Sequence, residues 1–428
     1  MTDGQSLDKE VDVMVNTKKI LSILIIILLP SFLLADNLKD LLVYAMHNNN
    51  VILSDISGQK AMLKNAASTK SSLFPTLHLG GKYTRLDQRS PYRPGDVYTG
   101  SVTAEYTIYD GSKRKSTVAQ QLQQAKSLKF DTLAQKKQLQ LTVVKYYYQI
   151  KSLTATKKAY EEASKDLKAE LRREKKLYKI GMTTYNNVQS IQAALSNNIY
   201  QISSTNYQIV RTRKMLSLQI GKSVTKLQNS VIKPPKNIQA TSNNTIKALQ
   251  SSAKALSYQA KSIDSAYKPT VNIADTYSLN RFGRYDAYHP KGQTNQNQLL
   301  ININFLIFDD GAVQQQEDAI LLQKTALQYQ IAQAKKTQSI NVELARLNIQ
   351  TIKHQIISSK NALMSAQGAY KIVAKKYQVG SVDYVTYLDA LSVKTTAESQ
   401  YKQALNDLQI AYANYYFQTN KNIQEYIK

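Results

Sequence analysis

The chain of 428 residues contains no cysteine, and it has only 14 glycines, 8 prolines and 4 histidines. Without cysteine, neither a disulfide framework nor a thiolate metal site can form. The histidines are scattered and lack ligand spacing, so we expect neither a metal nor another cofactor. Because proline and glycine interrupt helices, their scarcity favours long continuous helices. The histidine positions are His47, His78, His289 and His354.

The N-terminal residues have the pattern of an export signal. Lys18 and Lys19 precede an apolar run over 20–29, and a short apolar tail ends at Ala35. This order is typical of a cleaved signal peptide, here predicted over residues 1–35. The run is too short for a good membrane-spanning helix, although an uncleaved anchor remains the alternative.

The charge is strongly positive, with 56 Lys and Arg against 30 Asp and Glu and a formal net charge of +26. Such a balance could attract nucleic acid or anionic lipid. The basic residues are spread singly and in pairs between Gln, Ser and Asn, without a nucleic-acid motif. They predict solvated helical faces, so we expect no nucleic-acid partner.

One pattern occurs twice along the chain. Residues 101–111 read Ser-Val-Thr-Ala-Glu-Tyr-Thr-Ile-Tyr-Asp-Gly, and residues 301–311 read Ile-Asn-Ile-Asn-Phe-Leu-Ile-Phe-Asp-Asp-Gly. Further pairs follow at spacings of 194 and 199: Pro75 with Pro269, Tyr83 with Tyr277, Tyr178 with Tyr377, Gly181 with Gly380, and Tyr185 with Tyr384. The pattern predicts two repeats, 36–221 and 244–428, joined by a linker at 222–243.

Each repeat is predicted to contain a helix, two strands, a long helix, a glycine turn and a returning helix. Asp110-Gly111 and Asp310-Gly311, spaced by 200, are predicted strand-to-helix turns, and Gly181 and Gly380 are predicted hairpin tips. The fold class is therefore mainly α with a small β part. The predicted strands are 77–86, 101–109, 271–280 and 299–308; the predicted helices are 38–72, 112–180, 185–220, 244–267, 312–379 and 385–419.

The long helices are predicted to pack lengthwise. Ile150, Leu153, Tyr160, Ala163, Leu167 and Leu171 have the spacing of a narrow coiled-coil seam. A helix over 112–180 would be roughly 100 Å long at 1.5 Å per residue. Such a length indicates a tunnel or a filament instead of a globular core.

The strands are the decisive clue to function. Each has about ten residues, the length that crosses an outer membrane when tilted. Four strands cannot close a barrel, and an open sheet in lipid leaves backbone groups unpaired. The sequence therefore predicts a shared barrel, for which three copies would give twelve strands.

Aromatic residues near the strand ends suit interfacial belts; a small soluble sheet with an aromatic core is the alternative. They are Tyr83, Tyr106, Tyr109, Tyr277, Phe305 and Phe308.

Two features of the chain resemble the TolC-like outer membrane efflux proteins. One is the pair of junctions at which a strand ends in Asp-Gly and a long helix follows. The other is the segment 377–389, which reads Tyr-Gln-Val-Gly-Ser-Val-Asp-Tyr-Val-Thr-Tyr-Leu-Asp. The resemblance covers nearly the whole mature chain. It implies a homotrimer in the outer membrane of a Gram-negative bacterium, with a twelve-stranded barrel continued by a twelve-helix coiled-coil tunnel across the periplasm. It also implies a passive duct for efflux or type I secretion, docked onto a periplasmic adaptor and an inner-membrane pump.

The resemblance also implies a gate at the periplasmic tip. Tyr377 matches the gate tyrosine, and Asp389 matches one of the aspartates that line the mouth. Thr386 replaces the second aspartate, Val382 replaces the arginine that locks the closed state, and Asn187 replaces its partner carboxylate. Asn187 could still hydrogen-bond Tyr377, but a charged lock is not expected.

Two of these carboxylates have alternative interpretations. Asp389, tripled by symmetry, would form a ring that attracts cations, or it is an ordinary exposed helix carboxylate. Asp383, just after Gly380, is expected to be a helix N-cap.

Two other functional classes remain open. A periplasmic adaptor anchored in the inner membrane would share the N-terminal apolar segment and a helical hairpin, but the duplication speaks against it. A filamentous coiled-coil protein that binds nucleic acid or cell wall would lack the alternating strands. No nucleophile–base pair, phosphate loop or metal cluster is visible in the sequence, so we do not expect an enzyme.

Overall fold

The computed structural model describes residues 37–88, 94–236, 239–284 and 294–428. The predicted signal peptide, 1–35, lies outside the described residues, as do parts of both strand-connecting loops. The described chain is mainly helical with one small sheet, and this confirms the predicted fold class.

The two repeats share one order of elements, except that two helices precede the strands in the first repeat and one helix precedes them in the second. Both long helices have 67 residues and so extend about 100 Å. The first repeat comprises α1 (Leu38–Asn48), α2 (Asn50–Ser71), β1 (Thr76–Arg85), β2 (Asp96–Asp110), α3 (Lys113–Lys179) and α4 (Tyr185–Ile220). The second comprises α5 (Asn244–Asp264), β3 (Thr270–Gly283), β4 (Asn295–Asn304), α6 (Ala312–Gln378) and α7 (Tyr384–Gln418).

The first predicted helix, 38–72, is two helices in the structure. Asn49 separates them, and its side chain accepts hydrogen bonds from the backbone N–H groups of Val51 at 2.9 Å and Ile52 at 3.3 Å. An asparagine oxygen that caps a new helix start stabilises a break at that point. The Asn49 amide also donates to the carbonyl of Gln219 at 2.8 Å, which ties the break to the end of α4.

The four strands form one antiparallel sheet in the order β1-β2-β3-β4. The central pair, β2 and β3, therefore joins the two repeats. β4 begins and ends four residues before the predicted range 299–308. Its last pair joins Asn304 to Thr270, so Phe305 would face Pro269. Because proline has no backbone N–H to donate, the ladder ends there.

The register gives the sheet one apolar and one polar face. On one face lie Leu77, Leu79, Val102, Tyr106, Ile273, Tyr277, Leu299, Ile301 and Ile303, with Asp275 as a charged exception. The other face is polar, where the hydroxyls of Thr103 and Thr276 are 3.1 Å apart. The apolar side chains are exposed to solvent in the single chain; Leu79, for example, is 86% exposed.

The helices pack in two tiers along α3 and α6. Towards the sheet, α3 contacts α2 and α5, and α6 contacts α5; towards the far end, α3 contacts α4 and α7, and α6 contacts α7. None of the helices in the described residues combines the length and the hydropathy that a membrane span requires.

A buried core surrounds the middle of α3. Tyr147, Tyr148 and Tyr416 are among its largest fully buried side chains. The Tyr148 hydroxyl donates to the carbonyl of Ser230 at 2.9 Å, and the backbone N–H of Lys428 donates to the carbonyl of Val231 at 2.9 Å. The connecting segment (described residues 222–236) and the C-terminus therefore form a layer over the middle of the helices.

Candidate functional site: the helical tips and the strand-to-helix turns

The two hairpin tips have the same backbone geometry. Gly181 and Gly380 both have φ of +74°, in the left-handed region that favours glycine. The N–H of Met182 donates to the carbonyl of Leu177 at 2.9 Å, and that of Ser381 donates to the carbonyl of Lys376 at 2.8 Å. These bonds span five residues, as in a Schellman C-cap. Both predicted tip glycines therefore end a long helix in the same way.

Tyr377 is buried at the tip between the two hairpins. Its ring stacks on Tyr387 with centres 4.9 Å apart, and its hydroxyl donates to Oε1 of Glu174 on α3 at 3.0 Å. Burial raises the pKa of Tyr377, and the charge of Glu174 raises it further. The tyrosine therefore stays protonated and acts as a hydrogen-bond donor to a carboxylate that is itself only 3% exposed.

Arg173 adds a second contact between α3 and α6. Its Nη2 donates to the carbonyl of Gln378 at 3.0 Å, and its Nη1 lies 2.6 Å from Oε1 of Glu170. The guanidinium carbon lies 5.2 Å from the centre of the Tyr377 ring, within cation–π range. Burial raises the pKa of Glu170, although the hydrogen bond from Arg173 acts in the opposite direction.

A third contact lies further from the tip. The hydroxyl of Tyr370 on α6 donates to Oδ2 of Asp166 on α3 at 2.9 Å. Nζ of Lys394 on α7 lies 3.9 Å from the same oxygen and 4.6 Å from the centre of the Tyr370 ring. We call the set of Asp166, Arg173, Glu174, Tyr370, Tyr377 and Lys394 the tip clamp, since it joins α3 to the hairpin of α6 and α7.

The other predicted gate residues lie near the clamp but outside it. Val382 is half-buried against the apolar cluster that contains Tyr377 and Tyr387, and Asp389 is exposed. Thr386 is exposed, and its N–H and hydroxyl donate to Oδ1 of Asp383 at 2.9 and 2.6 Å. These bonds lower the pKa of Asp383 and confirm it as the N-cap of α7.

The expected contact of Asn187 with Tyr377 is absent within the described protomer. The Asn187 amide instead donates to the Thr183 hydroxyl at 3.0 Å, inside its own hairpin, and Glu174 accepts from Tyr377. Charged groups do lie beside Tyr377, but they come from α3 and not from the positions that the resemblance marks.

A sequence signal for these missed charges exists. Tyr160, Ala163 and Leu167 are spaced by three and four residues, and continuing this alternation reaches Glu170 and Glu174. A carboxylate at a seam position must find a partner in the neighbouring helix, because an unpaired buried charge is costly. The charged seam positions thus indicate a polar contact, although they do not identify the partner.

The strand-to-helix turns show a one-residue error in the predicted alignment. Asp110 accepts from the backbone N–H of Arg114 at 3.0 Å and from its Nε at 2.7 Å. In the second repeat the equivalent acceptor is Asp309, which bonds the N–H of Val313 at 2.8 Å and the hydroxyl of Tyr267 at 3.0 Å.

The backbone supports the same correction. Each turn contains two consecutive residues with the positive φ of the left-handed region. They are Gly111 and Ser112 in the first turn (φ 65° and 72°), and Asp310 and Gly311 in the second (φ 54° and 76°). The turns are therefore 199 residues apart, like the tips, and not 200 as the matching Asp-Gly letters suggest. Ser112 adopts the conformation for which the second turn uses glycine.

Among the described residues, no group of His, Asp and Glu side chains is placed to hold a metal ion. The tips and turns provide hydrogen bonds, ion pairs and stacked rings between helices. Such an arrangement can hold two hairpins together or release them.

Comparison with known proteins gives consistent results. The family model described as outer membrane efflux protein matches residues 41–222 and 239–420, once for each repeat. The outer membrane protein TolC of Salmonella enteritidis is 23% identical over 433 residues, covering 92% of this chain and 86% of TolC. The double match confirms the internal duplication and does not support the adaptor alternative.

Solved structures show the same fold. The CmeC outer membrane channel of Campylobacter jejuni has a TM-score of 0.79 at 16% identity, covering 90% of this chain and 85% of CmeC. The outer membrane protein VceC of Vibrio cholerae has a TM-score of 0.75 at 14% identity, covering 90% of this chain and 96% of VceC.

Proposed function

Because the chain belongs to the outer membrane efflux protein family, we propose that three copies of it assemble into a passive export duct. The duct combines a shared barrel in the outer membrane with a tunnel of long helices in the periplasm. Residues 1–35 act as the export signal that delivers each chain. The sheet carries this proposal: it has two different faces and two open edges, and it leads directly into helices about 100 Å long.

The sheet supports a shared barrel on energetic grounds. Within the described residues, the outer edges of β1 and β4 lack strand partners. Unpaired backbone groups cost several kcal/mol each in lipid, so an open sheet is not stable there. Pairing β1 of one copy with β4 of the next removes both edges. Three copies then give twelve strands, with the apolar face towards lipid and the polar face towards a water-filled interior.

The tip clamp supports a gate at the other end of the duct. Each copy would contribute the α3–α4 hairpin and the α6–α7 hairpin to the wall of the tunnel. Widening the mouth requires the α6–α7 hairpin to move away from α3, and the Tyr377–Glu174 and Arg173–Gln378 hydrogen bonds then break. The closed state of the mouth is therefore stabilised by contacts inside each copy.

Export needs energy and a source of cargo, which a passive duct does not provide. We propose that the tips dock onto a periplasmic adaptor and an inner-membrane pump, in efflux or in type I secretion, and that these partners select the cargo. The chain itself conducts without catalysing a reaction. The exposed basic residues face water and do not bind nucleic acid.

The assembly has a direct test. The full chain expressed in a Gram-negative host is expected in the outer-membrane fraction, as a trimer band in detergent that heating converts to a monomer. Recovery as an inner-membrane monomer would show that the proposed function is wrong.

Asp389 is exposed near the tip and has no ion-pair partner among the described residues. Tripled by symmetry, it is proposed to form a ring at the mouth that attracts cations. Asp389→Ala is expected to weaken the block of single-channel current by a trivalent cation about tenfold or more, since ring charges act together. Asp318→Ala, near the sheet end of α6, is the matched control and should leave the block unchanged. Equal block in Asp389→Ala and in the unmodified protein would remove Asp389 from the mouth.

A further inference from the structure

A basic cavity lies at the middle of the helices, away from both the tips and the sheet. Its volume is about 520 Å³, and it is formed by α3, the C-terminal end of α4, the C-terminal half of α7 and the connecting segment. Among the described residues that line it, five are basic and none is acidic. The basic residues are Lys151, Lys158, Arg213, Lys226 and Lys402.

Arg213 is the most informative of these residues. Its Nε is buried and has no hydrogen-bond partner in the described chain. A buried donor without a partner costs about 1–3 kcal/mol, and more for a charged group, so native proteins rarely leave one unsatisfied. A guanidinium presents its donors in a planar fork that matches carboxylate and phosphate oxygens. Arg213 therefore brings to the cavity wall a guanidinium of the kind that binds such groups, with its buried Nε left without a partner.

Lys151 lies in the same cavity. Its ammonium donates to Oδ1 of Asn229 at 2.8 Å and lies 5.2 Å from the centre of the Tyr147 ring. Burial lowers the pKa of Lys151, because the charged form is partly removed from water. An anion in the cavity would stabilise that charged form.

The positive charge of the cavity is largely uncompensated. Lys158 has a carboxylate nearby, at 3.9 Å on Glu162, and is mostly exposed. For Lys151, Arg213, Lys226 and Lys402, no ion pair with a described residue is present. The amides of Asn229 and Asn406 and the hydroxyl of Thr225 also line the cavity and can donate hydrogen bonds, whereas the Thr154 hydroxyl already donates to the carbonyl of Ile150 at 2.7 Å.

We propose that this cavity is a binding site for a multiply charged anion that carries phosphate or carboxylate groups. Its volume far exceeds the roughly 30 Å³ that one water occupies in the liquid, and it accommodates a group of the size of pyrophosphate or citrate. Clustered cations with little competing negative charge favour a ligand with several closely spaced charges.

The cavity is placed to face the periplasm. α3 and α7 contact each other inside one copy, so the site does not require a neighbouring copy. The connecting segment, which lines the cavity, covers this side of the helices. A layer of chain on the inner side would obstruct the proposed duct, so this side faces outwards. The site therefore serves a ligand outside the duct, and its function is separate from conduction.

Titration of the detergent-purified full chain with pyrophosphate and, separately, with citrate at neutral pH and low salt tests the site. Arg213→Gln and Lys151→Gln are each expected to weaken binding about tenfold or more, since a charged hydrogen bond contributes about 1.5–3 kcal/mol and 1.4 kcal/mol is tenfold. Arg213→Lys keeps the charge and should retain part of the affinity. Lys165→Gln, an exposed lysine on α3 outside the cavity, is the control and should bind like the unmodified protein.

Preference for pyrophosphate or for citrate distinguishes a phosphate-bearing ligand from a carboxylate-bearing one. Each variant is first checked for an unchanged trimer band and channel conductance, so that a loss of binding is not a loss of folding. The proposal is wrong if neither anion binds, or if Lys165→Gln weakens binding as much as Arg213→Gln does, which would indicate attraction to overall charge alone.

Discussion

Replacing Tyr377 with phenylalanine is expected to increase the open fraction of the duct about tenfold or more. The change removes the hydroxyl that donates to Glu174 at 3.0 Å and leaves a buried carboxylate without that donor. A hydrogen bond to a charged group contributes about 1.5–3 kcal/mol, and each 1.4 kcal/mol shifts a two-state equilibrium tenfold. Single-channel conductance in planar bilayers measures the effect directly.

The chain offers a matched control for this prediction in its other repeat. Tyr178 is the counterpart of Tyr377 at a spacing of 199, but it is exposed, and its hydroxyl has no hydrogen-bond partner among the described residues. Tyr178→Phe should therefore conduct like the unmodified protein. Glu174→Gln should open the duct as Tyr377→Phe does, because it weakens the same contact from the other side. Unchanged conductance in both Tyr377→Phe and Glu174→Gln would rule out the tip clamp as the gate.

Gly111→Ala is expected to lower the stability of the folded protein by about 3 kcal/mol or more. Gly111 has φ of +65°, and a Cβ atom there would lie 2.7 Å from Cβ of Lys268 and 2.8 Å from the carbonyl oxygen of Ser265. The carbonyl belongs to the backbone, so it cannot move aside as a flexible side chain would. The temperature at which the trimer dissociates in detergent measures the loss.

Gly181→Ala separates the steric clash of the new Cβ atom from the strain of a left-handed backbone, the two contributions to this loss of stability. Gly181 also has a positive φ, +74°, but no atom lies within 4 Å of the position of its Cβ. It should therefore show only the left-handed strain of about 1–2 kcal/mol. Equal losses in Gly111→Ala and Gly181→Ala would mean that close packing at the strand-to-helix turn does not contribute.

The local pattern of the sequence was sufficient for most of the fold. Alternation of apolar and polar residues predicted the strands, and the lack of proline and glycine predicted both long helices to within a residue or two at each end. These features depend on neighbours along the chain, so they can be read from a single sequence. The glycines at 181 and 380 were predicted as helix ends for the same reason.

The errors occurred where a contact distant in sequence decided the outcome. The break at Asn49 and the end of β4 opposite Pro269 both depend on what lies beside them. The shift of the second strand-to-helix turn has a local cause: the Asp-Gly pair at 310–311 matched the pair at 110–111, whereas Asp309 is the residue that accepts the hydrogen bond from the N–H of Val313.

By itself, the sequence determined the two repeats, the long helices, the half-apolar strands and the positions of the tips, because hydrophobic periodicity and turn residues act locally. Only the tertiary structure decided that Glu174 and Arg173 engage the end of α6, that Asn187 stays within its own hairpin, and that Arg213, with its Nε unpartnered, lies beside the connecting segment. The physical reason is that a buried polar group needs a partner with the right distance and direction, and those are set by how separate helices pack.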